Sequence, residues 1–172
     1  MIVLKPFERT DFSTFISWFK SPVEIIQACG RTFQYPLDEA QLDIYLSGAR
    51  QPKPIRKIFK FVDFESGKHV GNATLERINL TEHSAAIACV IIGDQEYRGK
   101  GICEIIMQSV IQFAFDELGL TKLTLNVFDF NSPAIKCYEK AGFKIVDRNE
   151  VNYLDKDYVN IKMELNKAIT NY

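Results

Sequence analysis

The segment from Ser84 to Phe128 constrains this chain more than any other. It reads as an apolar strand from about Ser84 to Ile92, the run Gly93-Asp94-Gln95-Glu96-Tyr97-Arg98-Gly99-Lys100-Gly101, a long helix from about Gly101 to Leu118, and a second apolar strand from Lys122 to Phe128. A strand, a helix and a strand in that order close up as a parallel pair with a right-handed crossover, because a tight hairpin joins only antiparallel neighbours. In the helix, Glu104, Gln108, Gln112 and Asp116 recur at every fourth position and form one narrow polar stripe. Ile102, Ile105, Ile106, Met107, Val110, Ile111, Phe113 and Phe115 fill the remainder, which predicts burial of most of its circumference.

The rest of the chain supplies antiparallel strands and shorter helices. Ile2 to Lys5 is a short strand ended by Pro6, and Phe12, Phe15, Ile16 and Phe19 space a helix over Asp11 to Phe19. Glu24 to Pro36 shows no clear period, and Leu37 to Ser47 reads as a second helix stopped by Gly48. Ile58 to Phe64 and Val70 to Ile78 flank the turn Glu65-Ser66-Gly67-Lys68, a hairpin signal. After the second parallel strand, Ser132-Pro133 predicts an N-cap and first-turn proline for a short helix reaching Ala141. Gly142 then stands at the left-handed C′ position, with Phe143 as its apolar contact. Phe143 to Val151 and Tyr158 to Leu165 are the last strands, and the tail from Asn166 carries no assignment. The order predicts a mixed α/β sheet of α+β type, mostly antiparallel, with helices on both faces. At 172 residues the chain is expected to form a single domain over 1–172.

Composition narrows the function classes. Lys and Arg total 21 against 22 for Asp and Glu, a net charge of -1, so the basic excess of a nucleic-acid binder is missing. The apolar fraction of 47% and charged fraction of 25% are those of a globular protein rather than a disordered one. The N-terminal MIVLKPFERTDF lacks the features of a signal peptide, and the apolar run Ala85 to Ile92 is too short to span a bilayer. The four cysteines, Cys29, Cys89, Cys103 and Cys137, form no CxxC pair, and there are only two histidines. That pattern argues against a zinc site and a disulfide scaffold, and predicts reduced thiols in a cytoplasmic protein with no metal and no membrane or nucleic-acid partner.

The turn between the first parallel strand and its helix carries the chemistry. Gly99 and Gly101 let the backbone turn tightly and present successive N–H groups at the positive end of a helix dipole, an arrangement suited to an anion such as pyrophosphate. Arg98 and Lys100 add positive charge there. The GxxxxGK[ST] loop is absent, and the GxGxxG fingerprint fails at Glu104. Two glycines in such a turn also occur in domains that bind nothing. Downstream stands Asn126-Val127-Phe128-Asp129-Phe130-Asn131-Ser132-Pro133-Ala134-Ile135-Lys136-Cys137-Tyr138-Glu139-Lys140-Ala141-Gly142-Phe143. Together with Arg98-Gly99-Lys100-Gly101-Ile102-Cys103, this block resembles the GNAT superfamily of N-acetyltransferases. The first block matches that family's [Q/R]-x-x-G-x-[G/A] acetyl-CoA loop at Arg98, Gly101 and Cys103, although cysteine replaces the usual glycine or alanine.

The resemblance implies that the parallel strands splay apart and that acetyl-CoA wedges between them. The pantetheine arm would bond to the backbone of Cys89, Val90, Ile91 and Ile92, and the pyrophosphate would rest on the amides of Arg98, Gly99, Lys100, Gly101, Ile102 and Cys103. Asn131 would bond the cofactor or the adjoining loop. Acyl transfer to an amine needs a donor for the oxyanion, here a backbone N–H near Val90 or Ile91, and an acid for the leaving thiolate, a role assigned to Tyr138. Tyr138 shares a helix face with Ala134, Ile135 and Ala141, so packing alone would also account for it. Many family members carry a glutamate on the strand before the loop, but Ala85 to Ile92 has no carboxylate; Glu76, His83 and Asp94 could act through water, and none is nominated as the base. Cys103 reads either as a small buried side chain or as a reactive thiol at a helix N-terminus. For the acceptor, Trp18, Phe33 and Tyr35 could form an aromatic wall, and Glu24, Asp38, Glu39 and Asp43 could attract a cation, unless they are core and solvated face respectively. The expected activity is acetyl transfer from acetyl-CoA to a primary amine of a small molecule or peptide. The alternative is a catalytically degenerate CoA-binding module. A homodimer through the C-terminal strands stays open.

Overall fold

The computed structural model describes residues 1–168. Its centre is one seven-stranded sheet of order β1-β2-β3-β4-β5-β7-β6. The strands are β1 Ile2–Pro6, β2 Arg56–Asp63, β3 His69–Asn79, β4 Ser84–Ile92, β5 Lys122–Phe128, β6 Lys144–Tyr153 and β7 Lys156–Asn166. Every neighbouring pair is antiparallel except β4 and β5, which run parallel as the crossover requires. The helices are α1 Phe12–Ser17, α2 Pro22–Cys29, α3 Glu39–Ser47, α4 Ile102–Gln112 and α5 Ser132–Lys140.

Apolar side chains from both faces of the sheet are covered. On one face Ile106, Met107 and Val110 of α4, all fully buried, pack with Leu75, Leu123 and Met163 of the strands and with Tyr138 of α5. On the other, Phe12, Phe15, Ile25, Leu42 and Tyr45 of α1 to α3 pack over Ile58 and Cys89. At ~25 cal/mol per Å² of apolar area, these two layers are the main stabilising contribution to the domain.

The elements follow the sequence pattern with instructive departures. The stretch without a period contains α2: Ser21 caps it by accepting from the Glu24 amide, and Pro22 occupies the first turn. Only Ile25 and Cys29 of that helix are buried, a seam too brief to register as periodicity. The long helix is α-helical only to Gln112 and continues as a π turn over Phe113–Glu117, where the Leu118 amide reaches back to the Phe113 carbonyl. Ile105 on its expected buried side is 37% exposed. The cap of α5 is Asn131 rather than Ser132, while Gly142 takes the expected positive φ of 97° and the Phe143 amide bonds back to the Tyr138 carbonyl. The β6–β7 hairpin turns on Leu154 and Asp155, both in the left-handed region, which lets the two strands run longer than their apolar pattern suggested.

Gly93 ends β4 where the Trp18 indole lies flat against the backbone, so a Cβ at that position would fall inside the ring. Gly93→Ala is therefore expected to displace Trp18 and lower the unfolding free energy by about 1–3 kcal/mol. Denaturant midpoints of the single variant and of the Gly93→Ala/Trp18→Leu pair, in which part of the loss should return, provide the check.

Candidate active site

The site begins as a fault in the sheet. β4 and β5 pair only through Ser84, Ala85 and Ala86 opposite Lys122, Leu123 and Thr124, although both strands continue beyond. The β3–β4 register shifts between Asn72 and Thr74, and Cys89 sits in that bulge with φ +49°. A bulge bends its strand and increases its twist, carrying the far end of β4 away from β5. The backbone of Cys89, Val90, Ile91 and Ile92 thus faces a gap instead of a neighbouring strand. The expected splay of the parallel pair is present.

At the open end of the gap, β4 runs into a short 3-10 turn, Gln95–Tyr97, and then α4. Gly99 and Gly101 have φ of +73° and +75°, and a Cβ on either would meet nothing, so glycine serves backbone conformation here rather than space. The amides of Gly99, Lys100, Gly101, Ile102 and Cys103 find no acceptor among the described residues. Five consecutive uncommitted N–H groups at a helix start form an anion cradle. The Arg98 Nε donates to the Ile92 carbonyl at 3.0 Å and folds the loop back on the strand. Below it, Tyr97 donates to Asp63 at 2.8 Å, and Lys68 bridges Asp94 and Glu96 at 2.9 and 3.0 Å. Hydrogen bonds from Ser66 and Tyr97 hold the Asp63 carboxyl at about 2, and the bond from Lys68 lowers Asp94 as well. These carboxylates stay charged across the physiological range and fix the turn.

On the α1–α3 side the gap opens into a cavity of about 310 Å³, bordered by the end of α2, by Glu76 and Arg77 of β3, by Cys89, and by Phe128 and Tyr153. Glu76 accepts a hydrogen bond from the Tyr45 hydroxyl, which also lies 3.8 Å from the Cys89 Sγ. Burial, then Cys89 and Glu76, push the Tyr45 phenol well up; burial and Cys89 do the same for the Cys29 thiol. Both remain protonated near neutrality. Of the three water-assisted candidates, Glu76 alone lines this cavity. His83 stands at the opposite end of β4, where its carbonyl accepts from Thr121 and Lys122, and Asp94 is committed to Lys68.

The expected acceptor wall is elsewhere. Trp18 packs on Gly93 and His69, Phe33 is buried against Tyr45, and Tyr35 donates to the Lys20 carbonyl. The acids are also occupied: Glu24 accepts from the Lys20 amide, Asp38 caps α3, and Glu39 and Asp43 bind Arg9. Each of these side chains thus has a partner that accounts for it as packing or as solvated face.

A family model described as "Acetyltransferase (GNAT) domain" matches residues 2–144. The chain belongs to the GNAT acetyltransferase family. Among curated proteins, this GNAT domain is 26% identical over 120 residues to the L-amino acid N-acetyltransferase AaaT of Escherichia coli, covering 62% of this chain and 72% of that one. It is 29% identical over 85 residues to the SPbeta prophage-derived N-acetyltransferase YokL of Bacillus subtilis, a match spanning 49% of this chain and 48% of the relative. A solved spermidine N-acetyltransferase from Vibrio cholerae, in complex with CoA and spermine, superposes with a TM-score of 0.82 at 20% identity, covering 96% and 95% of the two chains. That likeness speaks for the fold.

The remaining residues of the GNAT motif stand on α4 and α5. Tyr138 is buried in the same cluster as Ile87, Leu125 and Val127, the side chains along the diverging strands. Its burial, with no bonded partner acting on it, raises the phenol above its ordinary value and keeps it protonated. Asn131 spends its Oδ1 on the Ala134 amide, leaving its side-chain NH₂ as a donor.

Cys103 corrects the cysteine reading. It is disulfide-bonded to Cys137, with Cα atoms 6.3 Å apart, so only Cys29 and Cys89 are free thiols. The pairing depends on α5 packing across the first turn of α4, which the spacing of 34 residues does not display. The Lys140–Glu104 ion pair at 2.6 Å joins the same two helices. Reduction of the bridge is expected to lower the unfolding free energy by about 2–4 kcal/mol, by freeing the unfolded chain. Denaturant curves with and without reductant test this, and Cys103→Ser should make the curve insensitive to reductant.

Proposed function

We propose that this domain transfers an acetyl group from acetyl-CoA to a primary amine by direct attack of the amine on the thioester carbonyl. The run of five uncommitted amides at the mouth of the sheet gap carries this reading, since free N–H groups at a helix start suit the negative charge of the CoA diphosphate. The exposed backbone of Cys89 to Ile92 supplies strand-like hydrogen bonds to the pantetheine amides. The Val90 N–H would donate to the oxyanion, the Ile91 N–H being committed to β3 by the Asn72–Ile91 pair, and the Asn131 NH₂ would reach the cofactor or its loop.

The residues also meet the proton requirements. A lysine-like amine, with pKa about 10.4, must lose a proton before it attacks. Glu76 is the carboxylate of the acceptor cavity and takes up that proton through water. Tyr138, held protonated by burial, donates to the leaving thiolate. No step calls on a metal. Exposed Val146 on the edge strand β6 offers a surface for a homodimer.

The absence of a carboxylate on β4 favours one alternative, a CoA-binding module without turnover. Thiol release from acetyl-CoA across a panel of amines separates the two: acetylation of any amine excludes the module, and CoA binding without turnover supports it. CoA at ~100 times its Kd should stabilise the fold by about 2.7 kcal/mol. Tyr138→Phe should lower kcat by about 10²–10⁴ while leaving that CoA-induced shift in place. Full activity in this variant would remove Tyr138 from the mechanism.

A further inference from the structure

The charges that border the acceptor cavity define what it takes. The residues that line it include one acid, Glu76, and two arginines, Arg31 and Arg77. Arg77 directly follows Glu76 on β3, and strict strand alternation would send the two side chains to opposite faces. Arg77 instead has φ +50° where the β3–β4 register shifts between Glu76 and Asn79, and both neighbours line the same cavity. A positive φ at a non-glycine residue is costly, and such positions concentrate where a side chain must be aimed. The exposed Arg77 also borders the adjoining groove with Glu82 and Lys122.

Arg31 is aimed by different means. Gly30, with φ +57°, ends α2, and the Arg31 guanidinium then lies 4.6 Å over the Tyr153 ring while its Nη2 donates to the Asn152 carbonyl at 2.8 Å. One bond uses one of the five donors in its fork. Neither arginine has a carboxylate within ion-pair distance among the described residues. Glu76 already accepts from Tyr45, and Ile26, Ile87, Val127, Phe128 and Val151 complete an apolar wall.

We propose that the acceptor is a primary amine that carries a carboxylate and an apolar body, of the amino-acid type, with its amine toward Glu76 and its carboxylate on Arg31 and Arg77. This rests on the acetyltransferase reading and adds the substrate class. Two guanidiniums favour an anionic group through charge-assisted, bidentate hydrogen bonds. They repel a polyamine, whose second and third ammonium groups would meet like charge.

The experiment compares kcat/KM for L-phenylalanine, L-phenylalaninamide, phenethylamine and spermidine in the thiol-release assay, with CoA-induced thermal stabilisation measured alongside. L-phenylalanine should exceed the amide and spermidine by about tenfold or more. Arg31→Gln and Arg77→Gln should each raise its KM with little change in kcat, narrowing the gap between acid and amide. Equal or better use of the amide or spermidine overturns the inference while the acetyltransferase reading stands, as does turnover of L-phenylalanine that is indifferent to both substitutions. Stabilisation by CoA with turnover confined to amines lacking a carboxylate overturns it too. Absence of both CoA stabilisation and turnover removes the acetyltransferase reading itself.

Discussion

The parting of β4 from β5 is the constraint on which the rest of the molecule depends. Parallel neighbours joined by a helix would ordinarily pair along their full length, and here the ladder stops after Ala86. The Cys89 bulge ends it by turning β4, and the covered faces keep the two strands from closing again. One face holds the cluster of Ile106, Met107 and Tyr138, and the other holds Tyr45 against Cys89. The gap is therefore a stable product of packing, with polar backbone exposed in an otherwise apolar interior.

A second arrangement keeps the Arg98–Gly101 loop in register with that gap. Asp63 and Lys68 come from the β2–β3 hairpin, and both reach the turn beneath the amide cradle through Tyr97, Asp94 and Glu96. Lys68 is half exposed, so its pairs contribute modestly to stability individually. Their value is positional, because two side chains of one hairpin, Asp63 and Lys68, hold the 3-10 turn and its cap in place. Strand, turn and helix thus present their free N–H groups as a continuous surface.

Much of this was legible in the sequence because the determinants are local. The apolar run Ser84 to Ile92, the glycines at 99 and 101, and the Asn131 to Phe143 block each specify their own backbone, and the parallel pair follows from the helix between its strands. The acceptor side was not legible, for a physical reason. Arg77 reaches the cavity through a register shift between two strands, Arg31 through a contact with Tyr153 far along the chain, and Tyr45 looks like any core aromatic until Glu76 is beside it. Likewise Cys103 and Cys137 reveal their bond only when α5 lies across α4. Trp18 and the acids of α3 drew attention by type alone; the indole packs on Gly93 and His69 of the sheet, and Glu39 and Asp43 pair with Arg9.

The bond between Cys103 and Cys137, with the adjoining Glu104–Lys140 pair, turns two helices into a single rigid strut. One end of the strut starts the anion cradle, and the other bears Tyr138 next to the strands. The bridge and the ion pair thus fix the start of α4 relative to the helix that carries Tyr138. The opposite layer has no covalent tie of this kind: its two cysteines, Cys29 and Cys89, are free thiols, and α1 to α3 are held to the sheet by apolar packing.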